Sequence, residues 1–203
     1  MDKHEQGYVE LIEAALHPDH VVTLAFAGVI ALAPQRAAPY DVAIAGLDAR
    51  SMAALRERYF PDLPFPFEPD AHCQEAAARI DEFDDLLALL LEHRSLLDQD
   101  SHWLAHAVAT ACMGQNHLWQ DLGLPNRATL SWLMKHHFSS LAASNTGDMK
   151  WKKFLYRQLC VRAELFVCKS PNCRACNDYA QCFAVEEGAA LPAVAAARRD
   201  TAS

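Results

Sequence analysis

Four of the seven cysteines fall within fifteen residues, at Cys168, Cys173, Cys176 and Cys182, spaced C-x4-C-x2-C-x5-C. Short loops bring several thiolates to one point at low entropic cost, and thiolates select soft metals. The first three cysteines have the C-x4-C-x2-C spacing of plant-type iron–sulfur proteins, in which the fourth cysteine lies farther away. Structural zinc sites instead use two C-x2-4-C knuckles separated by a longer stretch. The compactness of this loop therefore favours an iron–sulfur centre over zinc. Pro171 and Asn172 favour a turn between the first two thiols. Lys169 and Arg174 place positive charge beside thiolates, which lowers thiol pKa and offsets the negative charge of a cluster.

Other residues capable of chemistry are weaker candidates. His102 and His106 stand four apart on one helical face, but no H-E-x-x-H pattern accompanies them. His117 and Cys160 are secondary candidates for ligand or relay roles, each with an ordinary packing alternative. Cys112 sits among apolar residues and reads as a buried thiol. The carboxylates Asp81, Glu82, Asp84 and Asp85 read as a helix start matched to the helix dipole rather than as a cation site. Lys150, Lys153 and Arg157 recur at helical spacing just before the cysteine loop. They form either a solvated face or a surface for an anion or an acidic partner. The sequence contains no G-x-G-x-x-G, no G-x4-G-K-[ST] and no G-x-S-x-G. Nucleotide binding and serine acyl transfer have no motif to stand on.

The elements that must position the loop are predicted to be helices. The 203 residues are 52% hydrophobic and 22% charged, with abundant Ala and Leu and little β-branched alternation. An all-α fold is expected. Residues 1–187 are expected to form a single helical domain with an irregular four-cysteine loop at 168–182, and 188–203 are expected to be a disordered low-complexity tail. Helices are predicted over 8–16, 21–33, 51–59, 81–94, 101–113, 126–138 and 148–160. Ser101 and Asn126 are expected as N-caps, and 116–122 as the end of a helix. Phe83, Leu86, Leu87, Leu90 and Leu91 form the predicted inner stripe of the helix over 81–94. Four prolines between Pro61 and Pro69 mark an extended segment.

Formal charge is −8 and uneven: residues 1–100 hold 7 basic against 19 acidic residues, residues 101–203 hold 11 against 7. The acidic whole argues against nucleic-acid binding. Val21 to Ala33, the longest apolar run, is too short to span a membrane. Asp2, Glu5, Glu10 and Glu13 have the wrong sign for a secretory n-region. A cytoplasmic, reducing location is expected, which favours metal thiolates over disulfides.

Three stretches together carry a family resemblance. They are His117-Leu118-Trp119-Gln120-Asp121-Leu122-Gly123-Leu124, the run Met149-Lys150-Trp151-Lys152-Lys153-Phe154-Leu155-Tyr156-Arg157-Gln158-Leu159-Cys160, and the cysteine loop followed by Phe183. In order and spacing they resemble the NifQ family of nitrogen-fixation proteins, over roughly residues 80–187. Relatives carry Cys-Phe-Gly at the loop's end, whereas Ala184 follows Phe183 here. The resemblance implies a carrier rather than a conventional enzyme: an iron–sulfur protein that binds molybdenum in a mixed Mo–Fe–S cluster and donates it for the iron–molybdenum cofactor of nitrogenase. Carried over by position, Cys168, Cys173, Cys176 and Cys182 are the cluster ligands. The implied partners are the cofactor-assembly scaffold, the nitrogenase iron protein, and molybdate or a molybdenum–sulfur species. Two other classes stay open on residues alone, a zinc-stapled interaction module and an electron-transfer iron–sulfur protein.

Overall fold

A computed structural model describes residues 3–63, 81–164, 182–186 and 188. These residues form α-helices and one 3-10 turn, with no strand among them. The helices are α1 (Lys3–Glu13), α2 (Val21–Ala31), α3 (Ala49–Tyr59), α4 (Asp81–Glu92), α5 (Gln99–Cys112), α6 (Leu118–Asp121), α7 (Arg127–His137), α8 (Ser139–Ser144) and α9 (Trp151–Arg162). The expected all-helical class holds for them. The cysteine loop, apart from Cys182, and most of the proline segment lie outside the described residues. Among those described, no helix is long and apolar enough to cross a membrane.

Two helices form the centre. α2 packs against α1, α5 and α7, while α5 packs against α4, α2 and α6. α2 is apolar nearly all round, and Ala25, Phe26, Ala27 and Val29 are fully buried. α5 is buried on every face rather than on the single stripe its Leu and Val suggest. Its Ala105, Ala107, Ala109 and Ala111 are small enough to let neighbouring helices close on all sides. Pro34 ends α2 as predicted and lies in the 3-10 turn Ala33–Gln35. Buried Arg36 then ties the following loop to α2, its Nη2 donating to the carbonyls of Val29 (2.9 Å) and Val42 (2.7 Å). Burial lowers this guanidinium to about 10, so it remains charged at neutral pH.

Several expected details shift for local reasons. Asp98, not Ser101, caps α5: its Oδ1 accepts the Ser101 N–H at 2.8 Å. The residue three positions past the cap has the orphan N–H, and its own hydroxyl turns back to the Leu96 carbonyl. Asn126 caps α7 as predicted, accepting from Thr129 N at 2.9 Å. α4 buries Phe83, Leu86, Leu89 and Leu90, while Leu87 and Leu91 are only partly buried. The stripe is therefore rotated from the predicted one. α9 starts at Trp151 rather than at 148. Asp148 has a left-handed φ of 51° and is held by Arg127, which donates to its carbonyl and its carboxylate. The residues 116–122 begin a short helix rather than ending one.

Alkaline stability follows from one buried and two half-buried acids. Burial pushes the Cys112 thiol from 9.0 up to about 12 and the Tyr59 phenol from 10.0 up to about 12, and it raises Tyr156 as well. Each native pKa lies above its unfolded value, so the stabilisation is complete below pH 9 and is lost as pH rises from there toward about 12. The urea midpoint is expected to be lower at pH 10 than at pH 8; an equal or higher midpoint would contradict these burials.

Candidate metal centre

The exit of the cysteine loop is fixed on the helical body at several points. The Lys150 N–H donates to the Cys182 carbonyl at 2.8 Å. Lys150 is held in turn by a rigid turn, in which Asn145 bonds both the N–H and the carbonyl of Met149 at 2.9 Å. Phe183 packs partly buried on the core, and a Cβ added to Gly147 would come within 3.1 Å of its ring. Farther on, Glu186 Oε1 lies 3.7 Å from His117 Nδ1. Gly188 passes Gln120 so closely that a Cβ there would be 3.0 Å from Nε2. The segment after the last cysteine thus runs from the start of α9 to the start of α6.

His117 is the N-cap residue of α6, and its backbone N–H donates to Gln120 Oε1 at 3.2 Å. The same short helix carries a partly buried ion pair. Lys152 Nζ donates to Asp121 Oδ2 at 2.5 Å and to the Gly114 carbonyl at 3.0 Å. Asp121 also accepts from Asn116 N at 3.1 Å and Asn116 Nδ2 at 2.9 Å. The turn between α5 and α6 is therefore wrapped around one carboxylate. The Lys150/Lys153/Arg157 face excludes Lys152, which points inward, as the helical spacing requires. Lys153 and Arg157 are exposed, and the three make no ion pair among the described residues.

The candidate residues separate clearly. Cys182 is a free, half-buried thiol at the α9 start. Cys168, Cys173 and Cys176 lie outside the described residues. Cys160 is also half-buried but sits in the last turn of α9, about 15 Å along the helix from Lys150. It stands at the other end of α9 from Cys182. His106 is buried, and its Nδ1 donates to the Ala45 carbonyl at 3.0 Å. It helps hold the 40–47 loop on α5, and its ring lies 4.8 Å from that of His102. Burial, with Arg94 nearby, lowers the His102 pKa. Among the described residues no group of three or more His, Cys, Asp or Glu converges on a point. Sequence reasoning missed Glu186. Its only signal is its place four residues after the last cysteine, which no periodicity marks.

The comparisons agree with the three quoted stretches. The family model named NifQ matches residues 25–184, a span that includes the whole cysteine loop. The chain is 42% identical over 151 residues to Protein NifQ of Azotobacter vinelandii, covering 70% of this chain and 77% of that one. It is 40% identical over 139 residues to Protein NifQ of Rhodobacter capsulatus, covering 68% and 75%. With Protein NifQ of Klebsiella pneumoniae it shares 35% over 145 residues, covering 68% and 84%. No solved structure matches the chain.

Proposed function

The chain belongs to the NifQ family, and on that premise we propose that it is a molybdenum-binding iron–sulfur carrier of nitrogen fixation. It donates molybdenum for the iron–molybdenum cofactor of nitrogenase. Cys168, Cys173, Cys176 and Cys182 hold the cargo, a mixed Mo–Fe–S cluster, in the cytoplasm. The observation that carries this reading is the four-cysteine loop inside the span matched by the family. The donor set fits such a cargo: thiolates bind iron and sulfide, and cluster sulfide in turn binds molybdenum. Cys182 supports it further, as a free thiol whose backbone is fixed on the rigid turn before α9.

A donor must release what it holds. A ligand loop tied to the body at its exit lets the cargo leave while the helical core stays folded. The Lys150/Lys153/Arg157 face leads toward that loop and suits an acidic docking partner. The cofactor-assembly scaffold and the nitrogenase iron protein are the partners proposed, and molybdate or a molybdenum–sulfur species is the incoming metal.

Cys173→Ala tests the ligand set. After anaerobic reconstitution it is expected to lose nearly all iron, with the helical circular dichroism unchanged. A variant retaining wild-type iron would remove Cys173 from the set.

A further inference from the structure

α9 begins with the wrong charge. Lys150 is its N-cap residue, Lys152 and Lys153 stand in its first turn, and no acid accompanies them. The amino end of a helix carries partial positive charge, so lysine there costs stability where Asp or Glu would add it. α5, with Asp100 in its first turn, follows this rule, and α9 reverses it. Lys152 is compensated by Asp121 at 2.5 Å. Arg58, Arg127 and Arg162 also reach carboxylates, whereas the side chains of Lys150, Lys153 and Arg157 reach none among the described residues. Glu82 of α4 lies close enough to Tyr156 to raise its pKa, yet among the described residues it pairs with neither Lys153 nor Arg157. The row continues at Val161, which is 61% exposed and stands four residues past Arg157. One helical face therefore offers three cations and then an apolar end. Positions that break a local rule without compensation are where functional surfaces are found.

We propose that this face, formed by Lys150, Lys153, Arg157 and Val161, is the docking surface for a protein partner that presents a row of carboxylates beside an apolar side chain. It deepens the carrier reading, on which it rests, by naming the chemistry of the acceptor's contact. Lys150 and Arg157 are about 10.5 Å apart along the helix axis, too far for one small oxyanion to bridge. Separate carboxylates in a row fit that spacing, and a single molybdate does not. A net charge of −8 works against a nucleic acid. Binding to an anionic membrane takes clusters of about four to eight basic residues, more than this face holds. Exposed charges matched across an interface act chiefly on the rate of encounter. That suits a donor, which must meet its acceptor quickly and part from it again.

The probes are the two proteins proposed above as partners, the cofactor-assembly scaffold and the nitrogenase iron protein, each immobilised in turn without oxygen. Binding of the full chain is followed from low to physiological ionic strength for wild type and for Lys153→Glu/Arg157→Glu. Lys135→Glu, at an exposed position on α7, is the control. With at least one probe the double variant is expected to associate about tenfold or more slowly at low salt, with dissociation changed less. Wild-type association should slow as salt rises, and the control should match wild type. Lys153→Glu alone should unfold at a higher temperature than wild type, because it puts an acid in the first turn. Equal association by wild type and the double variant would overturn the face and leave the carrier reading standing. If the double variant instead lost only binding to phosphatidylserine vesicles, the face would be a membrane surface and the proposal would fall. A loss shared by Lys135→Glu would overturn it as a general effect of net charge, and a lower unfolding temperature for Lys153→Glu would overturn it by giving that lysine a structural duty. Wild type that binds neither probe would overturn the face together with the proposed partners, while metal content per chain would still decide the cargo.

Discussion

Asp121→Ala is expected to lower native stability by about 2–3 kcal/mol, between the small cost at an exposed pair and the larger one at a fully buried pair, because Lys152 is partly exposed. The carboxylate is the hub of the α5–α6 turn. It accepts from Lys152 Nζ at 2.5 Å and from both the backbone and the side chain of Asn116. Alanine would leave the partly buried ammonium with only the Gly114 carbonyl at 3.0 Å. It would also strand two donors on Asn116 and open space beside Gly114, where a Cβ would be 2.5 Å from the Asp121 carboxylate. Urea unfolding measures the effect. A stability loss below about 1 kcal/mol would mean that the pair behaves like an exposed one. Asp121→Asn, which retains acceptor capacity but no charge, should fall between wild type and Asp121→Ala.

Gly28→Ala is expected to cost about 3 kcal/mol, at the upper end of ordinary overpacking effects. The substitution is helix-favouring in itself, since glycine within a helix is about 1 kcal/mol worse than alanine. Here the backbone of the α6–α7 turn lies directly on α2. A Cβ at Gly28 would be 2.3 Å from the Leu122 carbonyl oxygen and 2.5 Å from the Gly123 Cα. Neither atom is the end of a flexible side chain, so α2 and the turn must separate. Gly123 is fixed from its own side as well, with φ of 63° and Gly28 Cα 2.5 Å from where its Cβ would stand. The turn that presents Leu122 and Leu124 to the core therefore depends on two glycines facing one another. Thermal unfolding measures the effect, and a variant as stable as wild type would refute the contact.

The sequence announced α4, α7 and α9 through apolar periodicity and through punctuation at Asn126, Gly123 and Pro125. The four thiols were legible as a candidate ligand set, because cysteine spacing in one short loop is a local signal. Tertiary choices were less legible. Asp98 and Ser101 are both competent cap residues, and the decision between them lies in which N–H is left without a helical partner. Leu89 displaced Leu87 from the inner face because α5 and α9 approach α4 from a direction that its own sequence does not encode. Lys152 stands between Lys150 and Lys153 in a basic stretch interrupted by Trp151, yet it points inward, because Asp121 waits 31 positions earlier in the chain. Glu186 was hidden for the same reason: a lone acid after the last cysteine acquires meaning only when His117, 69 positions upstream, is folded against it.

The central claim is that the chain carries molybdenum on an iron–sulfur cluster held by the four-cysteine loop. The most direct measurement is iron, sulfide, molybdenum and zinc per chain, in protein purified without oxygen from molybdate-supplied cells. The account predicts iron and acid-labile sulfide together with molybdenum, and little zinc. Zinc alone, with no iron even after anaerobic reconstitution, would contradict it and make the loop a zinc-stapled structural module.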